Sequence, residues 1–255
     1  MNKFETLPNN DCIITIDPSL TSTAVVINDY KMVFTSKAKL KSGKLSKWFN
    51  FVEPHVNIYH HEFVYPKDYT TLERYKLETY SNIARTISNT CSNHVLHPIR
   101  LGTPINSHRK GKYNSVTFYI EGYSFSSVSG KLIDLVTFGS LLKHFMTENV
   151  TDDIRVIPPK TLKAEAAKLT YAPVDEGKRK PKIVYRNGAG LKGGSFKKHE
   201  MYKVLTDNVN LNCPWVNFLR EHEDAVMESK AVPTPIDDIN DAKILYEIFK
   251  KYKYH

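Results

Sequence analysis

The chain has 255 residues, 41% of them hydrophobic and 25% charged, enough to bury a full core, so disorder is not the expectation. Its 36 Lys and Arg against 27 Asp and Glu leave a formal charge of +9, a balance that attracts polyanions, nucleic acid first and an anionic membrane surface second. Three scattered cysteines without a C-x-x-C pair speak against a disulfide framework or zinc ribbon and fit a reducing compartment; no segment is apolar for the ~18 residues a membrane span needs. In chain order, Cys12 to Asp17 reads as a buried strand ending in an acid, Pro18 to Ser22 as a turn, and Thr23 to Asn28 and Lys31 to Ser36 as two further strands of an antiparallel meander. Lys44 to Tyr65 is ambiguous. Thr70 to Thr90 is helical by spacing, Ser92 to Asn114 a loop, Val116 to Ile120 a strand leading into Glu121, and Lys131 to Glu148 a helix. Ile154 to Ile157 is a short strand, Pro158-Pro159 opens a helix over Lys160 to Leu169, and Tyr171 to Ser195 reads as a loop or mobile arm. Phe196 to Leu205 and Asp238 to Tyr252 close the chain as helices.

This order gives an α/β fold: a mixed five-stranded sheet, antiparallel in strands 1–3 and then parallel, flanked by helices. It reads as one domain over 1–255 with insertions near 92–114 and 171–196.

Four carboxylates carry the chemistry. Asp17 ends the first strand and Glu121 the fourth, while Asp238 and Asp241, three apart, share a face of the last helix with Leu245, Ile248 and Tyr252. Each has an ordinary explanation: a turn former at Asp17, a surface edge at Glu121, helix-dipole stabilisation at the last pair with Asp237 as N-cap. Together they fit one purpose. Strands 1 and 4 side by side, crossed by the last helix, would gather acids that repel one another unless a cation neutralises them. Hard oxygen donors select Mg²⁺, with Mn²⁺ able to substitute, and two such ions about 4 Å apart support phosphodiester hydrolysis.

On these residues the chain resembles the RuvC-type Holliday junction resolvases, nucleases of RNase H-like fold. Ile16-Asp17-Pro18-Ser19-Leu20-Thr21-Ser22-Thr23 is similar to the first catalytic motif, Tyr119-Ile120-Glu121-Gly122-Tyr123 to the strand of the second acid, and Asp238-Ile-Asn-Asp241-Ala242 to the D-x-x-D-A signature. Ile157 to Lys163 and Lys198 to Met201 resemble the lysine-bearing segments between them. The resemblance implies Asp17, Glu121, Asp238 and Asp241 as metal ligands, Lys163 and Lys198 on scissile-strand phosphates, and a homodimer nicking symmetric strands of branched DNA. Thr15, Ala24 and Lys243 depart from the pattern, and the long segment between the two lysines leaves the substrate open: flaps, forks or RNA–DNA hybrids are alternatives, as is a nucleic-acid-binding scaffold without cleavage. An actin-like or sugar-kinase-like phosphotransferase fits less well, because no second glycine-rich phosphate loop is present. Composition and insertions suggest a viral or phage relative, acting in the cytoplasm or nucleoid of its host.

The tract Lys178, Arg179, Lys180, Lys182 and Arg186, loosened by glycines, reads as a phosphate-neutralising arm or as a solvated loop. Tyr123 and Phe125 are placed to stack on unpaired bases or to pack in the core. No Walker loop or dinucleotide fingerprint appears, so no nucleotide cofactor is expected.

Overall fold

The computed structural model describes residues 7, 10–36, 43–61, 69–96, 112–122, 130–177 and 180–254. Strands β1 (Cys12–Asp17), β2 (Ser22–Ile27) and β3 (Tyr30–Ser36) form the expected antiparallel meander. Its second turn is tight because Asn28 and Asp29 both take positive φ, 42° and 67°, the geometry a two-residue hairpin requires. Asn28 also accepts from Ile13 N–H and donates to the Asp11 carbonyl, fastening the turn to β1.

The chain then runs through α1 (Gly43–Val52), β4 (Asn57–His61), α2 (Tyr69–Val95), β5 (Val116–Glu121), α3 (Gly130–Asn149) and β6 (Ile154–Ile157). The strand order is β4-β3-β2-β1-β5-β6, with β5 parallel to β1 and β6 parallel to β5. This is the RNase H-like layout, with six strands rather than five. The sixth, β4, lies in the stretch whose residues were ambiguous. Asn57 and the His60-His61 pair give it no β signature, and it exists because it pairs in parallel with β3.

Period-two alternation divides the sheet into two faces. Cys12, Ile14, Ile16, Phe34, Phe118 and Ile120 pack under α2 and α3. Ile13, Ala24, Val26 and Tyr119 lie on the opposite face, in one core with α4 (Pro159–Thr170), α5 (Lys198–Thr206), α6 (Pro214–Glu221), α7 (Glu223–Met227) and α8 (Ile236–Tyr254). By that parity Asp17 and Glu121 point to the α8 side.

Helix α8 is buried all round from Ile239 to Ile248, Asp241 included. Tyr252, expected on the buried face, is 56% exposed, because the helix has run past the sheet by then. Helix α8 begins two residues earlier than expected, at Ile236, so Asp237 lies within its first turn instead of capping it. Two departures from the family pattern acquire roles here. Thr15 Oγ1 donates to the Ala242 carbonyl at 2.7 Å, hooking β1 to α8. Lys243, 1% exposed, is ion-paired with Asp29 and Glu247.

Between 171 and 196 the expected irregular arm is a small ordered hairpin, β7 (Pro173–Asp175) against β8 (Ile183–Tyr185). Asp175 Oδ1 accepts from Gly177 and Lys182 N–H, both at 2.8 Å, and Glu176 is ion-paired with Arg186 and Lys192. Turn hydrogen bonds and ion pairs hold this segment, and neither leaves an apolar period to read. Gly193 seats the end of the hairpin on α4: an added Cβ would lie 2.4 Å from the Ala167 Cβ. No helix of the described residues is long and apolar enough to cross a membrane.

Candidate active site

The parallel pairing of Ile16 with Ile120 sets the next residues, Asp17 and Glu121, side by side at the C-terminal ends of β1 and β5. The turn after Asp17 is laced by Thr23, whose Oγ1 donates to the Ser19 carbonyl at 2.7 Å. After Glu121, the Gly122 N–H donates to Ile157 O at 2.7 Å, and an added Cβ at Gly122 would crowd that carbonyl at 3.3 Å. Both strand ends are therefore held before any carboxylate acts, the first by the Thr23 hydroxyl and the second by a backbone hydrogen bond. Helix α8 crosses the same face and brings Asp241 to them. One carboxylate oxygen from each of Asp17, Glu121 and Asp241 lies within 4.8 Å of the others.

Asp238 lies one helical turn before Asp241 and outside that group of three. Its charge still reaches Asp17, favouring the protonated carboxyl there. Lys198, at the start of α5, donates to Asp241 Oδ2 at 2.5 Å and pairs with Asp237 Oδ1 at 3.2 Å. Lys163, on the first turns of α4, lines the same cleft of about 280 Å³ with Pro18, Pro159 and Met201. The two sequence-distant lysines thus converge on the acids. Asp237 was expected as a cap and is a partner of Lys198 instead; only the Asp237-Asp238 doublet could have signalled it.

The electrostatics are those of crowded carboxylates. Burial, then the charges of Glu121 and Asp241, hold the Asp17 carboxyl well above the usual range, against the pull of Lys198. Burial and Asp241 raise Glu121 to about 8, opposed by Lys198 and Lys163. Burial alone would depress the Lys198 ammonium, but Asp241, Asp237 and Asp17 keep it well above an ordinary lysine.

The donor set fits a hard divalent cation. All three ligand atoms are carboxylate oxygens, and Asp241 Oδ1 is buried with no hydrogen-bond partner among the described residues, Oδ2 being taken by Lys198. A cation at that point would relieve the repulsion that raises Asp17 and Glu121.

A pH dependence of stability follows. Glu121 binds its proton more tightly folded than unfolded, so the native state carries the extra proton between about 4.5 and about 8. That contribution is present at low pH and is lost as pH rises through the folded value. In EDTA, the denaturant midpoint is expected to fall from about pH 5 to about pH 8, and Mn²⁺ to restore it at the upper end. A profile that is flat over this window in both Glu121 and Glu121→Gln proteins contradicts the crowding.

The remaining sequence candidates are dispersed. Lys180 and Lys182 are exposed on the β7–β8 hairpin. Arg186 is engaged within it, donating to Glu176 and the Gly190 carbonyl. Tyr123, Phe125, Lys178 and Arg179, with most of the 92–114 insertion, lie outside the described residues.

No protein-family model and no curated protein sequence matches the chain. Among solved structures it is similar to one titled Thermus thermophilus RuvC structure, at 8% identity and a TM-score of 0.42, over 95% of this chain and 96% of that one.

Proposed function

We propose that this chain is a divalent-metal-dependent endonuclease that hydrolyses phosphodiesters in branched DNA, four-way junctions foremost, through paired symmetric nicks made by a homodimer. The observation that carries the reading is the meeting of Asp17, Glu121 and Asp241, drawn from β1, β5 and α8, within 4.8 Å of one another in a basic protein. These three would hold the cation, with Asp238 beside them as a fourth carboxylate. Mg²⁺, or Mn²⁺ in its place, supplies Lewis-acid activation of water and charge neutralisation at the scissile phosphate.

The chain's own residues do the rest. Lys198 fixes the Asp241 carboxylate and keeps a positive charge at the cleft wall. Lys163 lines the same cleft as Glu121 and would meet a phosphate oxygen. Lys180 and Lys182, with their basic neighbours Lys178 and Arg179, neutralise phosphates further along the strand without reading sequence. Tyr123 and Phe125, just beyond Glu121 in the chain, would stack on bases unpaired at a branch. The whole of 1–255 acts as one nuclease domain, from a viral or phage relative of the resolvases working in the cytoplasm or nucleoid of its host.

The test is cleavage of end-labelled four-way junctions in Mg²⁺, beside flaps, forks and RNA–DNA hybrids. Symmetric nicks on the junction in preference to the others are expected. Preference for a flap or hybrid would replace the junction as substrate, and binding without cleavage of any would leave a non-catalytic scaffold.

A further inference from the structure

Strand direction links the active site to a second cavity. Strands β1 and β3 are each antiparallel to β2, and β4 is parallel to β3, so β4 ends on the same edge of the sheet as Asp17. At that end, between β4 and α2, lies a cavity of about 340 Å³ lined by Phe34, Tyr59, His61, Tyr75, Thr79 and Asn82. Its size is at the lower end of small-ligand sites. Three strand spacings separate β4 from β1, about 14 Å, and the cavity lies on the α2 face whereas Asp17 points to the α8 face, so a strand joining them also rounds the sheet edge, about 10 Å more. A stacked nucleic-acid strand covers that path in about seven nucleotides at about 3.4 Å each, and in fewer where it is extended.

The lining suits a base more than a phosphate. It is aromatic, with Phe34 and Tyr59 stacked at 4.8 Å and 11°. Among the described residues, no lysine, arginine or carboxylate lines it. His61 Nδ1 is buried without a hydrogen-bond partner among the described residues. Burial, then His60, lowers that imidazole to about 4, so at neutral pH it is an uncharged ring able to pair with a base edge. The Asn82 amide, exposed at the rim, offers both a donor and an acceptor. The larger cleft on the other side of β4, about 670 Å³, carries Glu53 and is less suited to a polyanion.

We infer that this cavity receives the nucleobase of an unpaired nucleotide several positions along the strand whose phosphate lies at Asp17, Glu121 and Asp241. The inference rests on the nuclease reading for the presence of a DNA strand at this edge. Stacking supplies the affinity and tolerates any base, while His61 and Asn82 bias the choice.

The test is an abasic scan. Single-stranded and branched oligonucleotides lacking one base at successive positions are bound in EDTA, read by anisotropy, and their cleavage is followed separately in Mg²⁺. For the unaltered protein, one position or two adjacent ones should lose about tenfold in affinity. Thr79→Trp, which fills the cavity from its wall, should flatten that profile, and Asn82→Ala, at an exposed position safe for folding, should reduce it. Equal binding at every position, or an unchanged profile in Thr79→Trp of unaltered melting temperature, overturns the inference. Cleavage with a flat profile leaves the nuclease standing without the base site; a position-dependent profile without cleavage does the reverse.

Discussion

Asp17→Asn is expected to reduce Mg²⁺-dependent cleavage by about a thousandfold or more, while DNA binding persists and the metal-free protein becomes more stable. The loss follows from position: Asp17 sits where β1 ends beside Glu121 and supplies one of the three converging carboxylate oxygens. Several kcal/mol of transition-state charge stabilisation by a bound cation translate to that factor at about 1.36 kcal/mol per decade. The gain in stability has the same origin. Asp17 is held protonated-leaning by burial and by Glu121 and Asp241, so an uncharged isostere removes repulsion without leaving a hole. Activity and melting temperature should therefore move in opposite directions, which a merely structural aspartate would not produce. Cleavage at the normal rate by Asp17→Asn would falsify the assignment. A lowered melting temperature in EDTA would instead show that Asp17 serves the turn after β1. Binding should survive because the basic surface, Lys163, Lys180 and Lys182 included, is untouched.

How far the residues alone disclose this molecule depends on which force shapes each part. The meander, β5, β6 and the helices at 69–95, 130–149, 159–170 and 236–254 are legible because hydrophobic period and β-branched runs dictate them. Strand β4 is not, since its stability comes from partnership with β3. Helix α6 also passes unread, although Pro214 at its first turn and the buried Trp215, Phe218 and Leu219 are its signals in retrospect. The hairpin at 173–185 rests on Asp175 and Glu176, whose turn and ion-pair chemistry is local and leaves no period. Among the acids, three converge as the chain order suggests. The grip of Lys198 on Asp237 and Asp241 is a tertiary fact, made by two helices forty residues apart, that spacing could not disclose. Asp238 shares a face with Asp241 by sequence, yet only Asp241 joins Asp17 and Glu121 within 4.8 Å.

The second large effect concerns the helix that carries Asp241. Lys243→Ala is expected to cost about 3–5 kcal/mol of stability, lowering the melting temperature by about 10 °C in a chain of this size. Lys243 is 1% exposed, and its ammonium pairs with Asp29 in the β2–β3 turn and with Glu247 one turn along α8. Burial alone would depress it, but Glu247 and Asp29 hold it well above an ordinary lysine. Asp29 would be raised by burial, yet Lys243 and Lys31 keep it below the usual carboxylate range. Removing the lysine takes from the buried Glu247 carboxylate its ion pair and leaves Asp29 with Lys31 alone, a penalty larger than the pair itself was worth. A triple replacement, Lys243→Met with Glu247→Leu and Asp29→Asn, removes Lys243 and both carboxylates it pairs with, leaves Lys31 on the Asp29 main-chain carbonyl, and should recover part of the loss, as exchange of a buried ion pair for apolar packing commonly does. The sign with pH is opposite to that of Glu121. Asp29 has a depressed folded value, so its contribution is present above the unfolded value and disappears as pH falls through the folded one. Metal-free protein should accordingly lose stability toward both acid and base, with the acid limb alone made shallower in the triple variant. Because Lys243 lies two residues beyond Asp241, the single variant should also weaken Mn²⁺ binding measured by calorimetry. Unchanged metal affinity in a destabilised Lys243→Ala protein would mean that the hook of Thr15 on Ala242 suffices to hold α8 over the strand ends.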